Sequence, residues 1–471
     1  MVMMEVMVMV SSNGASSSSF SLLDDKGWNR WMNGKMMKLC VYEMRWVEGK
    51  SDEFGGDGSE VMAEIKKQRR KMTKLTSCFA IVVFISLHIL YQSSASGDQN
   101  STSTYNVLKF GAKRNGVTDS TQAFLETWSA ACGTSSDSSE IYVPKGRYLL
   151  GAMAFKGDCN SHVTFRIDGT LVASPDYRVL GQANNWFSFE GVSGVTIIGG
   201  ALDAKGSALW ACKLSTKTTS CPNGATTLSF TNSKDIRVEG LMSLNSQMFH
   251  IVINGCQDVL IQGVKVIAAG NSPNTDGIHV QFSKNVAIFD TSIKTGDDCV
   301  SIGPGTKDLW MERIFCGPGH GISIGSLAKD LVEEGVQNVT LKNAIFKGTQ
   351  NGLRIKSWAR PSTGFVQGVQ FLDVKMINVQ NPIIIDQNYC PHNLNCPGQV
   401  SGVKVSDVLY QNIRGTSATA VAIKLDCSAE NPCSGVRLEN VNLTCRKQAI
   451  QSYCTNVNGK SVGTVQTSSC L

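Results

Sequence analysis

From Val192 onward the chain repeats a short unit: a polar or glycine corner followed by a strand in which apolar residues alternate with polar ones. Ser233-Lys234-Asp235-Ile236-Arg237-Val238 is one instance. The unit recurs at 192–197, 256–261, 283–288, 306–311, 336–341, 366–371, 400–405 and 433–438. Period-2 alternation over so few residues makes each unit a half-buried strand. From Ser233 onward the spacings run from 23 to 34 residues, in the window of solenoids. A β-propeller blade needs about 40 to 45 residues and four antiparallel strands, and a doubly wound sheet needs a helix between strands. The pattern therefore predicts an all-β chain folded as a right-handed parallel β-helix, each coil giving one strand to each of several sheets.

The first ordered segment is expected near Tyr105. A helix is expected over Gln122–Cys132, with its N-cap among Thr118, Asp119 and Ser120. Placed at the start of a solenoid, that helix would cap the open end of the core and shield strand edges.

Ahead of the repeat the sequence changes character. Residues 1–71 are Met-rich with a Ser tract and no period, and read as a disordered or non-native extension. Lys66-Lys67-Gln68-Arg69-Arg70-Lys71 then leads into an apolar run over Phe79–Leu90 and a small-residue stretch, Ser93-Ser94-Ala95-Ser96-Gly97. That order matches a signal peptide over 72–96, with Met72 as the working start. The run is shorter than the roughly 20 residues a membrane span needs, so the mature chain, 97–471, is expected to be a single secreted β-helix domain with no membrane insertion.

Cysteine usage agrees with export. Of 16 cysteines, setting aside Cys40 and Cys78 leaves an even number in the mature chain. Cys390 with Cys396, Cys427 with Cys433, Cys212 with Cys221 and Cys299 with Cys316 are short-loop candidates, although spacing alone does not fix connectivity. No CxxC pair or Cys/His grouping has zinc-ligand spacing. Asn100-Ser101-Thr102, Asn338-Val339-Thr340 and Asn442-Leu443-Thr444 are glycosylation acceptors in a secreted chain. The formal charge of +6 is mildly basic and spread out, and the body of the chain carries no dense Lys/Arg run with interleaved aromatics, which argues against nucleic acid and is compatible with a polyanionic substrate.

Four polar clusters stand out between Asn274 and Lys356: Asn274-Thr275-Asp276, Gly296-Asp297-Asp298, Gly319-His320-Gly321 and Arg354-Ile355-Lys356. Asp276, Asp298 and His320 follow one another at about one short repeat. Equivalent positions in successive coils lie roughly 4.8 Å apart, so the clusters are expected to form a ladder down one face. Gly296 would permit a bend that turns both Asp297 and Asp298 to the surface. Crowding three acids raises at least one pKa, the condition for a general acid beside a general base at a glycosidic bond. Taken singly, a Gly-Asp-Asp corner reads as a solvated turn, His320 as a turn histidine and the basic pair as a solvated face. Together, Arg354 and Lys356, on one face of a strand with Ile355 inward, could donate charge-assisted bonds to a substrate carboxylate.

These four motifs, in this order, resemble the signatures of polygalacturonases, glycoside hydrolase family 28, and the plant members most. Lys109-Phe110-Gly111-Ala112, Asn245-Ser246-Gln247-Met248-Phe249-His250 and Tyr389-Cys390 share the likeness, which covers the body from about Tyr105. The resemblance implies a metal- and cofactor-independent hydrolase that cleaves the α-1,4 bonds of homogalacturonan with inversion. It implies Asp297 as the acid, Asp276 and Asp298 as activators of water, and His320 as their support. Arg354, Lys356, Asn274 and Tyr389 would then bind substrate. The chain is expected to act as a secreted monomer at the cell wall, with endo and exo action left open. It departs from the family pattern at 200–206, where Ile-Asp-Gly is expected, and this bears on the wall of the cleft. Two other readings remain: a pectate lyase, which needs a calcium site and a basic catalytic residue, and a catalytically silent wall-binding β-helix.

Overall fold

The computed structural model describes residues 102–471 apart from 216–219, 447 and 466–469. The expected extension and leader lie outside the described residues. Gln99–Leu471 forms one compact unit. Its strands are arranged in three parallel sheets of 13, 12 and 11 strands, and successive coils add one strand to each. This is the expected parallel β-helix, and right-handed crossovers are the rule for parallel strands. The coils begin earlier than the sequence repeat suggested, at Thr102–Asn106, Ser138–Val143 and His162–Ile167 in the 13-stranded sheet.

One conformational demand explains the repeat. In nine coils the 13-stranded sheet carries a residue of positive φ at the same place: Gly194, Asp235, Asp258, Asn285, Asp308, Asn338, Gly368, Asp407 and Gly435. Register pairs on either side skip it, as Lys234 pairs Gln257 and Ile236 pairs Val259. The left-handed region is open to glycine and tolerated by Asn and Asp. Only those residue types occur in this column. Asn338 Nδ2 also donates to Asp308 Oδ1 at 2.9 Å, tying adjacent coils from outside.

Inside, apolar residues stack in columns. In the 11-stranded sheet, Ile251, Ile278, Val300, Ile322, Leu353, Ile383 and Ile423 follow one another in register, all of them buried. The helix Thr121–Cys132 buries Phe124 and Trp128 over the first coils. Trp128 stacks on Phe165 at 5.9 Å and meets Phe155 at 5.1 Å. The expected cap is therefore present, and Asp119 Oδ1 accepts from the Thr121 amide at its start.

Two short helices interrupt the coils, Arg178–Gly181 and Ser207–Leu214, where the sequence pattern had none. The second follows the divergent 200–206 stretch, is anchored by buried Leu209 and Trp210, and is tied by Cys212–Cys221. All four short-loop cysteine pairings are present, along with Cys132–Cys159 and Cys454–Cys470. Cys256 and Cys445 remain as thiols, so the even count does not close into disulfides. Among the described residues, no helix is long and apolar enough to cross a membrane.

Candidate active site

The four clusters lie on consecutive strands of the 11-stranded sheet or in the loops leading into them. Asp276 stands two residues before Ile278, Asp298 two before Val300 and His320 two before Ile322, and those three apolar residues are in register. The acids and the histidine thus form the expected ladder. Arg354 belongs to a different row, pairing Ser323, which pairs Ser301, which pairs His279. The basic side chains reach back across two coils rather than extending the acid row.

Gly296 fixes the loop by close approach instead of by positive φ. A Cβ there would sit 2.2 Å from the Ser272 carbonyl oxygen and 2.4 Å from its nitrogen. Thr275 and Thr295, both buried, bond to each other through their hydroxyls at 2.6 Å and pin the loops carrying the acids.

The three carboxylates end in different surroundings. Asp298 is buried, with its Oδ2 accepting from Lys356 Nζ at 2.8 Å and its Oδ1 from Arg354 Nη2 at 2.7 Å and Ser323 Oγ at 2.8 Å. Burial alone would raise its pKa, but Lys356 and Arg354 outweigh burial and hold it at about 2. Asp276 is also buried. Desolvation, with Asp297 and Asp298 adding repulsion, pushes its pKa well above the ordinary carboxylate value. Asp297 alone is partly open, its side chain 21% exposed, with His320 Nδ1 3.1 Å from its Oδ1. It does not share the surface with Asp298, as the bend was expected to allow.

Arg354 and Lys356 do share a face, with Ile355 in the core. In this structure both spend their charge on Asp298 rather than standing open to a ligand. Lys356 Nζ also lies 5.3 Å from the centre of the Tyr389 ring, which meets Trp358 edge-on. Asn274 is exposed beside Asp276 with φ of 56°. Thus Tyr389 adjoins the cations and Asn274 stands at the rim.

Several contributors escaped the sequence reading. Ser323 bridges Asp298 and Arg354, taking a bond from Arg354 Nε at 2.8 Å. His279 bonds Ser301 Oγ through Nδ1 at 2.8 Å and stacks on Phe249 at 5.2 Å. Burial lowers its pKa, favouring neutral imidazole. The His250 amide donates to the Asp276 carbonyl at 2.8 Å, and its buried ring is pushed down to about 3. The signal was an apolar-polar-apolar triplet repeated in four strands: Ile278-His279-Val280, Val300-Ser301-Ile302, Ile322-Ser323-Ile324 and Leu353-Arg354-Ile355.

The geometry gives an acid cluster on a β-helix, and comparison with known proteins gives the family. Residues 132–470 match the family described as Glycosyl hydrolases family 28. The chain belongs to glycosyl hydrolases family 28. A polygalacturonase of Prunus persica is 60% identical over 369 residues, covering 78% of this chain and 93% of that protein. An exopolygalacturonase of Platanus acerifolia is 42% identical, covering 79% of this chain and 99% of its own. Among solved structures, the endo-xylogalacturonan hydrolase from Aspergillus tubingensis superposes with a TM-score of 0.68 at 22% identity, over 78% of this chain and all of that one. At that identity it speaks to the fold.

Proposed function

We propose that this protein is a secreted polygalacturonase, hydrolysing the α-1,4-galacturonosidic bonds of homogalacturonan in pectin with inversion and contributing to cell-wall modification. The observation that carries the reading is the contrast within one acid cluster: an ion-paired, dry Asp298 beside an accessible Asp297. Asp297, the carboxyl that can meet a glycosidic oxygen, donates the proton to the leaving group. Asp276 and Asp298 hold the attacking water. An inverting enzyme ordinarily keeps acid and base roughly 6.5 to 9.5 Å apart to admit it; Asp297 and Asp298 come closer than that, within 4.8 Å, and Asp276, one coil back, supplies the second carboxylate of the water site. His320 orients Asp297.

The ion pairs suggest how the base is switched on. A galacturonate carboxylate bound by Arg354 and Lys356 draws their charge from Asp298. Its basicity then rises as the substrate arrives, and Tyr389 and Asn274 steady the neighbouring sugars. Asp297, Asp298 and His320 bring ligand atoms within 4.8 Å of one another, but both Asp298 oxygens already accept from three donors. That donor set favours the metal-independent route. Six disulfides among the described residues fit an oxidising compartment. No role for nucleic acid, a cofactor or a membrane is invoked.

The test is Asp297→Asn on de-esterified polygalacturonan. A kcat loss of about 10²- to 10⁴-fold with an unchanged circular dichroism spectrum is expected. Retained activity would remove Asp297 from the acid role, and products with ultraviolet-absorbing unsaturated ends would replace hydrolysis with elimination.

A further inference from the structure

The row containing Arg354 does not stop at the catalytic centre. Arg354 pairs Ile384, Ile384 pairs Lys424 and Lys424 pairs Tyr453. Beside it, Lys356 pairs Asp386 and Asp386 pairs Asp426. Ile383, Ile385, Ile423 and Leu425 fill the core between these positions, so the polar ones project from the same outer face as Arg354 and Lys356.

One and two coils beyond Arg354 and Lys356 the charge balance is reversed. Around Asp298 two cations surround one carboxylate, whereas here two carboxylates, Asp386 and Asp426, flank one ammonium. Lys424 Nζ is 3.3 Å from Asp426 Oδ2. Asn388 Nδ2 donates to Asp426 Oδ1 at 3.3 Å, and the Asn388 amide donates to Asp386 Oδ1 at 3.0 Å. Tyr453 follows as a half-exposed ring, a surface on which the apolar face of a sugar can lie.

We infer that Asp386, Lys424 and Asp426, with Tyr453 beyond them, form a distal subsite that selects an uncharged, methyl-esterified galacturonate unit over one with a free carboxylate. The inference rests on the hydrolase reading above. Each coil advances about 4.8 Å, close to the length of one sugar in a 1,4-linked chain. The unit over Lys424 is therefore two sugars from the one whose carboxylate meets Arg354 and Lys356. A free carboxylate there competes with Asp426 for the single ammonium and faces Asp386 as a like charge. An ester carbonyl accepts from Lys424 without that repulsion. Burial raises the Asp386 pKa, although Lys424 opposes it.

The experiment digests partially methyl-esterified galacturonan and locates the esters relative to each cleaved bond by mass spectrometry. The wild-type protein should place an ester on the unit two sugars from the bound carboxylate more often than its abundance in the polymer. The Asp386→Asn, Asp426→Asn double variant should reduce that enrichment by about two- to fivefold, the range an exposed ion pair supports. Lys424→Gln should disfavour free units further. Equal ester placement in wild type and both variants, with cleavage intact, overturns the subsite. Absence of cleavage on every galacturonan overturns the hydrolase reading, and the subsite with it.

Discussion

The two charge clusters on one face of the 11-stranded sheet make an instructive pair. Around Asp298 the side chains of Arg354, Lys356 and the acid are 11%, 9% and 2% exposed. Around Asp426 the lysine is 40% exposed and the acid 18%. The same residue types, their cations two coils apart in one sheet, therefore do different work. In the dry cluster each charge is committed to a partner, and removing one leaves the others stranded in low dielectric. In the wet cluster water can take any partner's place, so the pair contributes little to folding and remains free to discriminate among ligands.

The largest separation between the clusters should appear in stability. Lys356→Met is expected to destabilise the fold by about 3 to 5 kcal/mol in urea unfolding, because Asp298 loses a partner in a buried site. Lys424→Met should cost less than about 1 kcal/mol. Equal losses would break the comparison. A smaller effect isolates the loop that carries two of the acids. Gly296→Ala should cost about 1 to 3 kcal/mol by forcing a methyl against Ser272, and should reduce kcat without altering any preference set at Lys424.

The subtlest effect is one of sign. Asp298 has a folded pKa of about 2, below the unfolded value near 3.9. Its contribution to stability is thus present above about pH 4 and is lost as pH falls through the folded value. Asp276 has a raised folded pKa, so its effect is opposite: the folded state is favoured at acid pH and loses stability as pH rises above the unfolded value. Asp276→Asn should therefore gain stability at neutral pH while losing activity, and Asp298→Asn should lose stability there. Thermal unfolding from pH 3 to 8 would show the two variants moving in opposite directions. Parallel shifts would mean that the acids share one environment.

Much of this is legible in the sequence. The nine-coil column of Asp, Asn and Gly exists because one backbone position per coil needs positive φ, and a demand on residue type leaves a mark in the sequence. The acid ladder was legible for the same kind of reason: equal coil lengths put Asp276, Asp298 and His320 in one row. The displaced row of Arg354 was not, because the coil before it is longer and the extra residues change register without changing the motif. The helix Ser207–Leu214 was missed because it sits in a loop between strands, where the strand period has nothing to report.

The sequence by itself determined the β-helix, its N-terminal cap and the four motifs, and offered the short-loop cysteine pairs as candidates, since each depends on local backbone preference or on spacing along the chain. Only the tertiary structure decided which carboxylate is dry and which is wet, that Arg354 and Lys356 hold Asp298 across two coils, and that Cys256 and Cys445 stay unpaired. Burial and charge pairing are properties of neighbours in space, and one coil brings together residues that the sequence separates by twenty or more positions.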